Sequence, residues 1–552
     1  MKCLAFGCGA FFALTLATVV HAQPAPGNNS DGQPKNELGL PQSQSGPAPQ
    51  VAPPPTISPP SPAPPDQSAP QAVPPPSSEP PAVEQSAPAP APLIEPTPPA
   101  ERAKTAAKAR TEARKDKAEE HKPIDPDTGG STLSDDTLGI LKNPWADRGV
   151  KFSATYVGES LGNPSGGLRQ GAIYEGRLNL AIDLDLAKIA AVNGLTFHAN
   201  VFQIHGEGLS RNDIGNLMQA SSLEALPTTR LYEAWFEQKL GSDKYTIRAG
   251  QLAADAEFMT TRYADALINS TFGWPTIFGV NMPSGGPSPP LAAVGARFKA
   301  EINSHVTVLA AVFNGDPAGP GLDDPQSRDR YGLNFRVTDG QLLLGEIQYA
   351  WNAEKNAHGL PGTFKIGGWY NSDEFNDQRF ASNGVSQASP LATSQPAQLK
   401  GDYGVYSTFE QLLFTMPGGD GKRGVAFFTR ASVSPSDRNL IEAYADGGLT
   451  VLGPVESRAD DKLTLAFAYS KISSAAQALD NDYRVLTGSD RPVRDYEGLV
   501  TIGYLAEIRK GWTVLPNLQY VIHPGGGYVL DAGTPRAVHD AFVLGLRTVL
   551  KF

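Results

Sequence analysis

The stretch Phe542–Phe552 reads FVLGLRTVLKF: Phe542, Leu544, Leu546, Leu550 and Phe552 share one parity, and Arg547 and Lys551 fall on the other. Successive side chains of a strand point to opposite faces, so this spacing describes a strand with one face in oil and one in water. Tyr174–Leu186 follows the same rule. There Tyr174, Leu178, Leu180, Ile182, Leu184 and Leu186 oppose Glu175, Arg177, Asn179, Asp183 and Asp185. A soluble sandwich shows such alternation too, so one segment alone does not choose between the two settings.

Repetition does. Over some 400 residues the period-two pattern recurs with almost no helical periodicity. Ala234 and Phe236 oppose Glu233, Trp235 and Glu237, and Tyr245, Ile247 and Ala249 oppose Lys244, Thr246 and Arg248. Val294, Ala296 and Phe298 oppose Gly295, Arg297 and Lys299, and Leu463, Leu465, Phe467 and Tyr469 oppose Lys462, Thr464, Ala466 and Ser470. Full charges on the polar faces are costly inside a dry β-core but cost little against a water-filled lumen. Tight connections, read at Gly241-Ser242 and Thr338-Asp339-Gly340, alternate with long ones at 252–290 and 371–402, the asymmetry of a transmembrane barrel. The strands number 16 or 17, depending on whether Asn439–Leu449 is strand or loop; an even number is the rule, giving 16. A barrel of that size keeps an open aqueous channel. The expected fold is therefore all-β, a transmembrane antiparallel β-barrel over 143–552. Its amphipathic last strand, with Leu550 and Phe552, resembles the signal by which outer-membrane barrels are recognised by the barrel assembly machinery.

Bulk composition fits this reading. The chain has 552 residues, 40% of them hydrophobic, and a mean hydropathy of −0.27. Beyond the amino-terminal segment no stretch approaches the roughly 20 apolar residues of a spanning helix, but a barrel strand shows lipid only at every second residue. The net charge of −11 argues against a nucleic-acid surface. Lys2, the uncharged run Ala10–Val20 and the small-residue site Val20-His21-Ala22 describe a secretory signal peptide over 1–22. A lipoprotein signal ending at Cys8 is set aside because the apolar run would then follow the anchor. Cys3 and Cys8, the two cysteines of the chain, both lie in that segment, so the mature protein has no disulfide or thiol chemistry.

Residues 23–100 are rich in Pro, Ala, Ser and Gln, with Pro53-Pro54-Pro55 and Pro74-Pro75-Pro76 lacking backbone donors. They predict a disordered, partly polyproline II linker, either a plain spacer or a tether towards peptidoglycan. Residues 101–121 turn to Ala, Lys, Arg and Glu and predict a short solvated helix, ended by Pro123 and Pro126.

Several motifs distributed along the barrel resemble the carbohydrate-selective porin family, often called OprB. They include GESLGNPSGG (Gly158 to Gly167), RLYEAWFEQ (Arg230 to Gln238), RAGQL (Arg248 to Leu252) with Asp255 and Phe258, and NSTFG (Asn269 to Gly273). FNGDP (Phe313 to Pro317), GEIQY (Gly345 to Tyr349), LPGTFKIGGWY (Leu360 to Tyr370) and PNLQYVIHP (Pro516 to Pro524) follow, with Asp437-Arg438-Asn439 and Asp446-Gly447-Gly448-Leu449 between. The resemblance implies a 16-stranded barrel through which mono- and disaccharides pass down their gradient. It says little about 23–125.

A porin works by width, charge and weak adhesion at its narrowest point. The segment 252–290, carrying Asp255, Glu257, Arg262, Asp265, Phe272, Trp274 and Phe278, is expected to fold into the lumen as part of the constriction. Parity puts Arg248 and Arg297 on the wall to either side, with Glu233, Trp235 and Glu237 on the preceding strand. Opposed Arg and Glu can exchange hydrogen bonds with sugar hydroxyls, and the Trp235 face can pack on a pyranose. The bland alternative is that these are hydrated wall charges or strand-pairing determinants. Trp369, Trp512, Tyr504 and Tyr520 read as interface or wall aromatics.

No cofactor, metal site or catalytic group is expected. Gly418-Gly419-Asp420-Gly421-Lys422 lacks phosphate-loop spacing, the eight histidines lack ligand spacing, and Asp323-Asp324 and Asp460-Asp461 read as solvated turns rather than Ca²⁺ sites. The expected partners are small sugars, outer-membrane lipids and the assembly machinery; peptidoglycan is a partner of 23–121 only in the tether reading, and the sequence leaves both a monomer and a homotrimer open. A general or ion-preferring porin, a barrel enzyme and an envelope-tethering structural barrel are the competing functions.

Overall fold

The computed structural model describes residues 137–138, 141–241, 243–353, 357, 359–417, 423–531 and 534–552. The predicted signal peptide, linker and helix of 1–121, and Gly418–Lys422, lie outside the described residues.

Sixteen strands close into one antiparallel barrel. The first eight are β1 (Val150–Gly167), β2 (Gly171–Asp185), β3 (Leu195–Gly206), β4 (Thr228–Leu240), β5 (Tyr245–Leu252), β6 (Ala293–Glu301), β7 (Val306–Asn314) and β8 (Gln341–Trp351). The second eight are β9 (Gly362–Ala381), β10 (Pro396–Thr415), β11 (Gly424–Val433), β12 (Ile441–Leu452), β13 (Lys462–Ile472), β14 (Tyr496–Arg509), β15 (Trp512–Ile522) and β16 (His539–Lys551). Each strand pairs with its neighbours in sequence. Closure comes from β16 against β1, with Leu550 opposite Tyr156 and Arg547 opposite Glu159. This leaves no unpaired sheet edge, the condition for crossing hydrocarbon with strands.

The alternation read from the sequence is the alternation of the wall. On β16 Leu544 and Leu546 face out while Arg547 is buried inside; on β2 Tyr174 and Leu180 face out while Glu175 and Arg177 are buried inside. Phe236, Ile247, Phe298, Leu465 and Phe467 are all on the exposed outer face.

The connections depart from expectation in two places. Thr338-Asp339-Gly340 is not a tight connection but the end of a long one, 315–340, between β7 and β8. The residues before it, Tyr331, Leu333, Phe335 and Val337, alternate as a strand does, so a turn signal after them imitates a hairpin. Conversely, most of 371–402 is strand. β9 and β10 continue past the apolar belt, pairing Glu374 with Lys400, Phe375 with Leu399 and Asn376 with Gln398, and the connection shrinks to 382–395. Polar residues on both faces there hide the period, although the backbone ladder persists with register shifts. Asn439–Leu449 is largely strand, inside β12, and sixteen is the count.

The outer face predicts its own test. Phe467→Arg places a charge midway along β13 on the lipid side and is expected to cost about 2–4 kcal/mol. Equilibrium folding into lipid vesicles under urea measures it; a loss below that range would argue that Phe467 does not meet hydrocarbon.

Candidate functional site: a charged lumen narrowed by an inward segment

Between β5 and β6 the chain leaves the wall at Ala253 and returns at Ala293, and the intervening segment lies inside the barrel. Its apolar residues pack on the inward side chains of the far wall. Phe258, Ile277 and Phe278 join Phe313, Leu344, Trp369 and Tyr406, and Leu267, Ile268 and Phe272 join Phe428, Leu499 and Leu515. Gly503 leaves room on β14 for the carbonyl oxygen of Ala266, which a Cβ would meet at 1.9 Å. Trp369 is thus an inward wall residue edge-on to Phe278, whereas Tyr520 is on the exposed outer face.

Polar pins fix the segment. The fully buried Arg430 of β11 pairs with Asp446 of β12 at 2.6 Å and donates to the carbonyl oxygens of Met259 and Thr271, each at 2.9 Å. The Tyr444 hydroxyl donates to Asp446 at 2.5 Å. Glu410 of β10 accepts from Arg262 Nε at 2.6 Å and from Thr261 Oγ1 at 3.0 Å. Glu346 of β8 accepts from Met259 N at 2.8 Å, Asn269 Nδ2 donates to Gln519 at 2.9 Å, and Lys462 pairs with Asp265. The segment therefore fills the β8–β15 side. The remaining lumen, about 1620 Å³, is lined mainly by inward residues of β1–β7 and by the segment's exposed edge.

All seven residues singled out for the lumen line this space: Glu233, Trp235, Glu237, Arg248, Asp255, Glu257 and Arg297. Four of them form one cluster. Arg248 and Arg297 are direct cross-strand partners on β5 and β6, a placement that repels unless countered. Two carboxylates counter it from opposite sides. Glu237 of β4 lies 2.9 Å from Arg248 and 2.7 Å from Arg297; Glu257, from the inward segment, lies 2.9 Å from Arg248 and 2.7 Å from Arg297. The Arg297 Nε and Nη2 donors both face carboxylates, so guanidinium planarity holds wall and segment in one arrangement. Glu233 accepts from Ala253 N at 2.9 Å, where the chain turns inward.

Trp235 is placed differently from its sequence expectation. His198 of β3 stacks on its ring at 4.9 Å, and the Arg248 guanidinium of β5 lies 3.8 Å from the ring centroid. Those strands flank β4 on either side, so the indole is covered from both directions and offers no bare face to a pyranose. His198 in turn meets Asp183 at 2.7 Å. A continuous row of contacts, Asp183, His198, Trp235, Arg248, Glu257 and Arg297, thus runs across β2 to β6. Asp183 and His198 were missed as lumen partners because a cross-strand pair, 15 residues apart in sequence, has no sequence spacing of its own. The Arg430–Asp446 pin was missed for the same reason. Behind the row, Glu224 in the 207–227 connection accepts from Ser210 N and Arg211 N, and burial pushes its carboxyl above the usual range. Among the described residues no group of His, Cys, Asp or Glu is arranged to hold a metal ion.

A closed sixteen-stranded wall, apolar outside and charged inside around an aqueous lumen narrowed by inward chain from 253–292 and 207–227, defines an outer-membrane porin. The chain belongs to the family described as carbohydrate-selective porin, OprB, whose model matches residues 169–552. It is similar to Porin B of Pseudomonas aeruginosa, 24% identical over 401 residues that cover 69% of this chain and 84% of that protein. The putative porin QuiX of Acinetobacter baylyi is 21% identical over 429 residues, covering 73% and 90%. The fold matches the high-pH structure of Pseudomonas putida OprB with a TM-score of 0.66 at 22% identity, covering 76% of this chain and 99% of that one. The protein is a porin for the diffusion of sugars across the outer membrane.

Arg430→Met strands Asp446 in a buried position, a loss of about 3–5 kcal/mol for a buried pair broken on one side. Because the same guanidinium holds Met259 and Thr271, the inward segment is expected to loosen, giving larger and noisier single-channel conductance in planar bilayers. Wild-type conductance and noise would show that Arg430 does not hold the segment.

Proposed function

We propose that Glu237, Arg248, Glu257 and Arg297 form the constriction at which a sugar is sorted, with Glu233 and Asp255 beside them. The observation that carries this reading is the cluster shared between wall and inward segment: two guanidinium groups and two carboxylates at the edge of an aqueous lumen. Within the cluster the two guanidinium groups and two carboxylates offset one another, which suits a neutral solute better than a wall of one sign. Guanidinium N–H groups donate to sugar hydroxyls and carboxylates accept from them, so a sugar exchanges its hydration shell for wall contacts that are individually weak and quickly released. Trp235 acts in this reading by bracing Arg248 rather than by stacking on sugar. The protein works by passage, without covalent change to the solute.

The export steps belong to the same proposal. Residues 1–22 direct secretion and are cut after Ala22. Strand β16, with Leu550, and the Phe552 that follows it are the feature the barrel assembly machinery reads. Residues 23–121 serve as a spacer before the barrel, with a tether towards peptidoglycan as the alternative.

Liposome swelling with size-matched sugars, amino acids and salts tests the sugar preference; equal rates at equal size would leave a general diffusion pore. Arg248→Ala is expected to change single-channel conductance and weaken block by sugar severalfold, with Glu257→Gln acting in the same direction on block. Unchanged values for both would remove the cluster from the constriction. Replacing Phe552 by Ala is expected to lower the yield of heat-modifiable barrel in the outer membrane, and an unaltered yield would count against the assembly role.

A further inference from the structure

The 315–340 connection carries an exposed apolar strip. Tyr331, Leu333, Phe335 and Val337 are 59%, 60%, 52% and 70% exposed, while between them Gly332 is buried and Asn334 and Arg336 are held by hydrogen bonds. Asn334 Nδ2 donates to the Arg328 carbonyl at 3.2 Å, and Arg336 makes two contacts to Asp339, at 2.7 and 2.6 Å. Gly332 sits so close to the wall that a Cβ would fall 1.8 Å from the Leu231 carbonyl oxygen.

Its location follows from the short strands β5 and β6. β4 pairs with β5 only as far as Ala234 opposite Gln251, because the chain then leaves for the lumen. Above that point the β4 edge is taken by the connection: Leu231 N donates to Tyr331 O at 2.9 Å, and Thr228 Oγ1 to Arg330 O at 2.9 Å. Gln251 has the outward parity of Ile247 and Ala249, yet is only 4% exposed. Its amide donates to Tyr232 O at 2.9 Å and to Gly332 O at 3.0 Å, beneath the connection. At its other end the strip returns to the tops of β7 and β8, where Asn314 donates to Asp339 at 2.8 Å. The strip therefore crosses the outer side of the wall directly above the lipid-facing residues Ile247, Phe298, Val312 and Leu343.

We propose that Tyr331, Leu333, Phe335 and Val337 insert into the outer leaflet at the boundary between headgroups and acyl chains, and complete the apolar belt where β5 and β6 end. Continuity with the lipid-facing wall identifies the occupant as lipid: the same face, immediately adjoining, with two aromatics at the level where a barrel carries its girdle. The segment is extended and largely without backbone partners, which is incompatible with the hydrocarbon core but suits the hydrated boundary. The connection thereby holds the wall closed around the entrance of the inward segment and keeps lipid out of the gap.

Single-cysteine spin labels test this in the full chain. Cys3→Ser and Cys8→Ser leave each introduced cysteine as the one thiol. Labels at Leu333→Cys and Phe335→Cys are compared, in lipid bilayers, with Val500→Cys on the lipid side of β14 and Leu322→Cys, a fully exposed position of the same connection. Heat-modifiable migration confirms that each variant forms the barrel. The expected oxygen-to-nickel-chelate accessibility ratio at 333 and 335 is close to that at 500 and severalfold above that at 322. A ratio matching 322 overturns the proposal. So does protection from both reagents with spin–spin broadening, which would assign the strip to a second copy of the chain. An aqueous ratio at 500 would overturn the lipid-facing wall itself, and the strip with it.

Discussion

A backbone that crosses hydrocarbon has to satisfy every N–H and C=O within the sheet, and β16 pairing with β1 is how this chain does so. Everything else follows from closing the ring. Once the edges are gone, each strand has a lipid side and a lumen side, and residue parity assigns the chemistry. The outer side needs apolar bulk. The inner side can carry Arg, Lys, Asp and Glu, because water and opposite charges stand opposite them.

Sixteen strands enclose more space than their own side chains fill, so the lumen has to be shaped by something else. Here Ala253–Ala292 does most of that, beside the 207–227 connection that Glu497 holds at Met218. It buries apolar residues against the β8–β15 half, and its polar atoms are met by wall residues aimed inward: Glu346, Glu410, Arg430 and Gln519. The wall on that side is built to hold the segment. Most of the open lumen borders β1–β7. On the far half Glu346, Glu410 and Arg430 hold the segment, while Glu237, Arg248 and Arg297 pair with one another and with Glu257 beside the open lumen.

The same geometry shifts the role of an aromatic. Trp235 faces the lumen as parity requires, but its neighbours His198 and Arg248 take up both sides of its ring. Lumen exposure of a side chain and availability of its π-face are separate properties, and the second depends on residues from two other strands.

What the amino-acid sequence by itself determined is whatever repeats along one strand: the parity of Phe542–Phe552 and Tyr174–Leu186, the sixteen strands, the inward direction of Glu233, Glu237, Arg248 and Arg297, and the sorting of 252–290 as an unusual connection. Period two is a local property of an extended backbone, and burial in lipid enforces it at every turn of the pattern. The tertiary structure alone decided what faces what. That Arg248 and Arg297 are register partners bridged by Glu237 and Glu257, that Arg430 reaches Met259 across the lumen, and that Tyr331–Val337 covers the top of β5 instead of forming a strand all depend on inter-strand stagger and on where β5 stops pairing. Those relations reach across as many as 171 positions of the chain, and only the closed sheet brings them together.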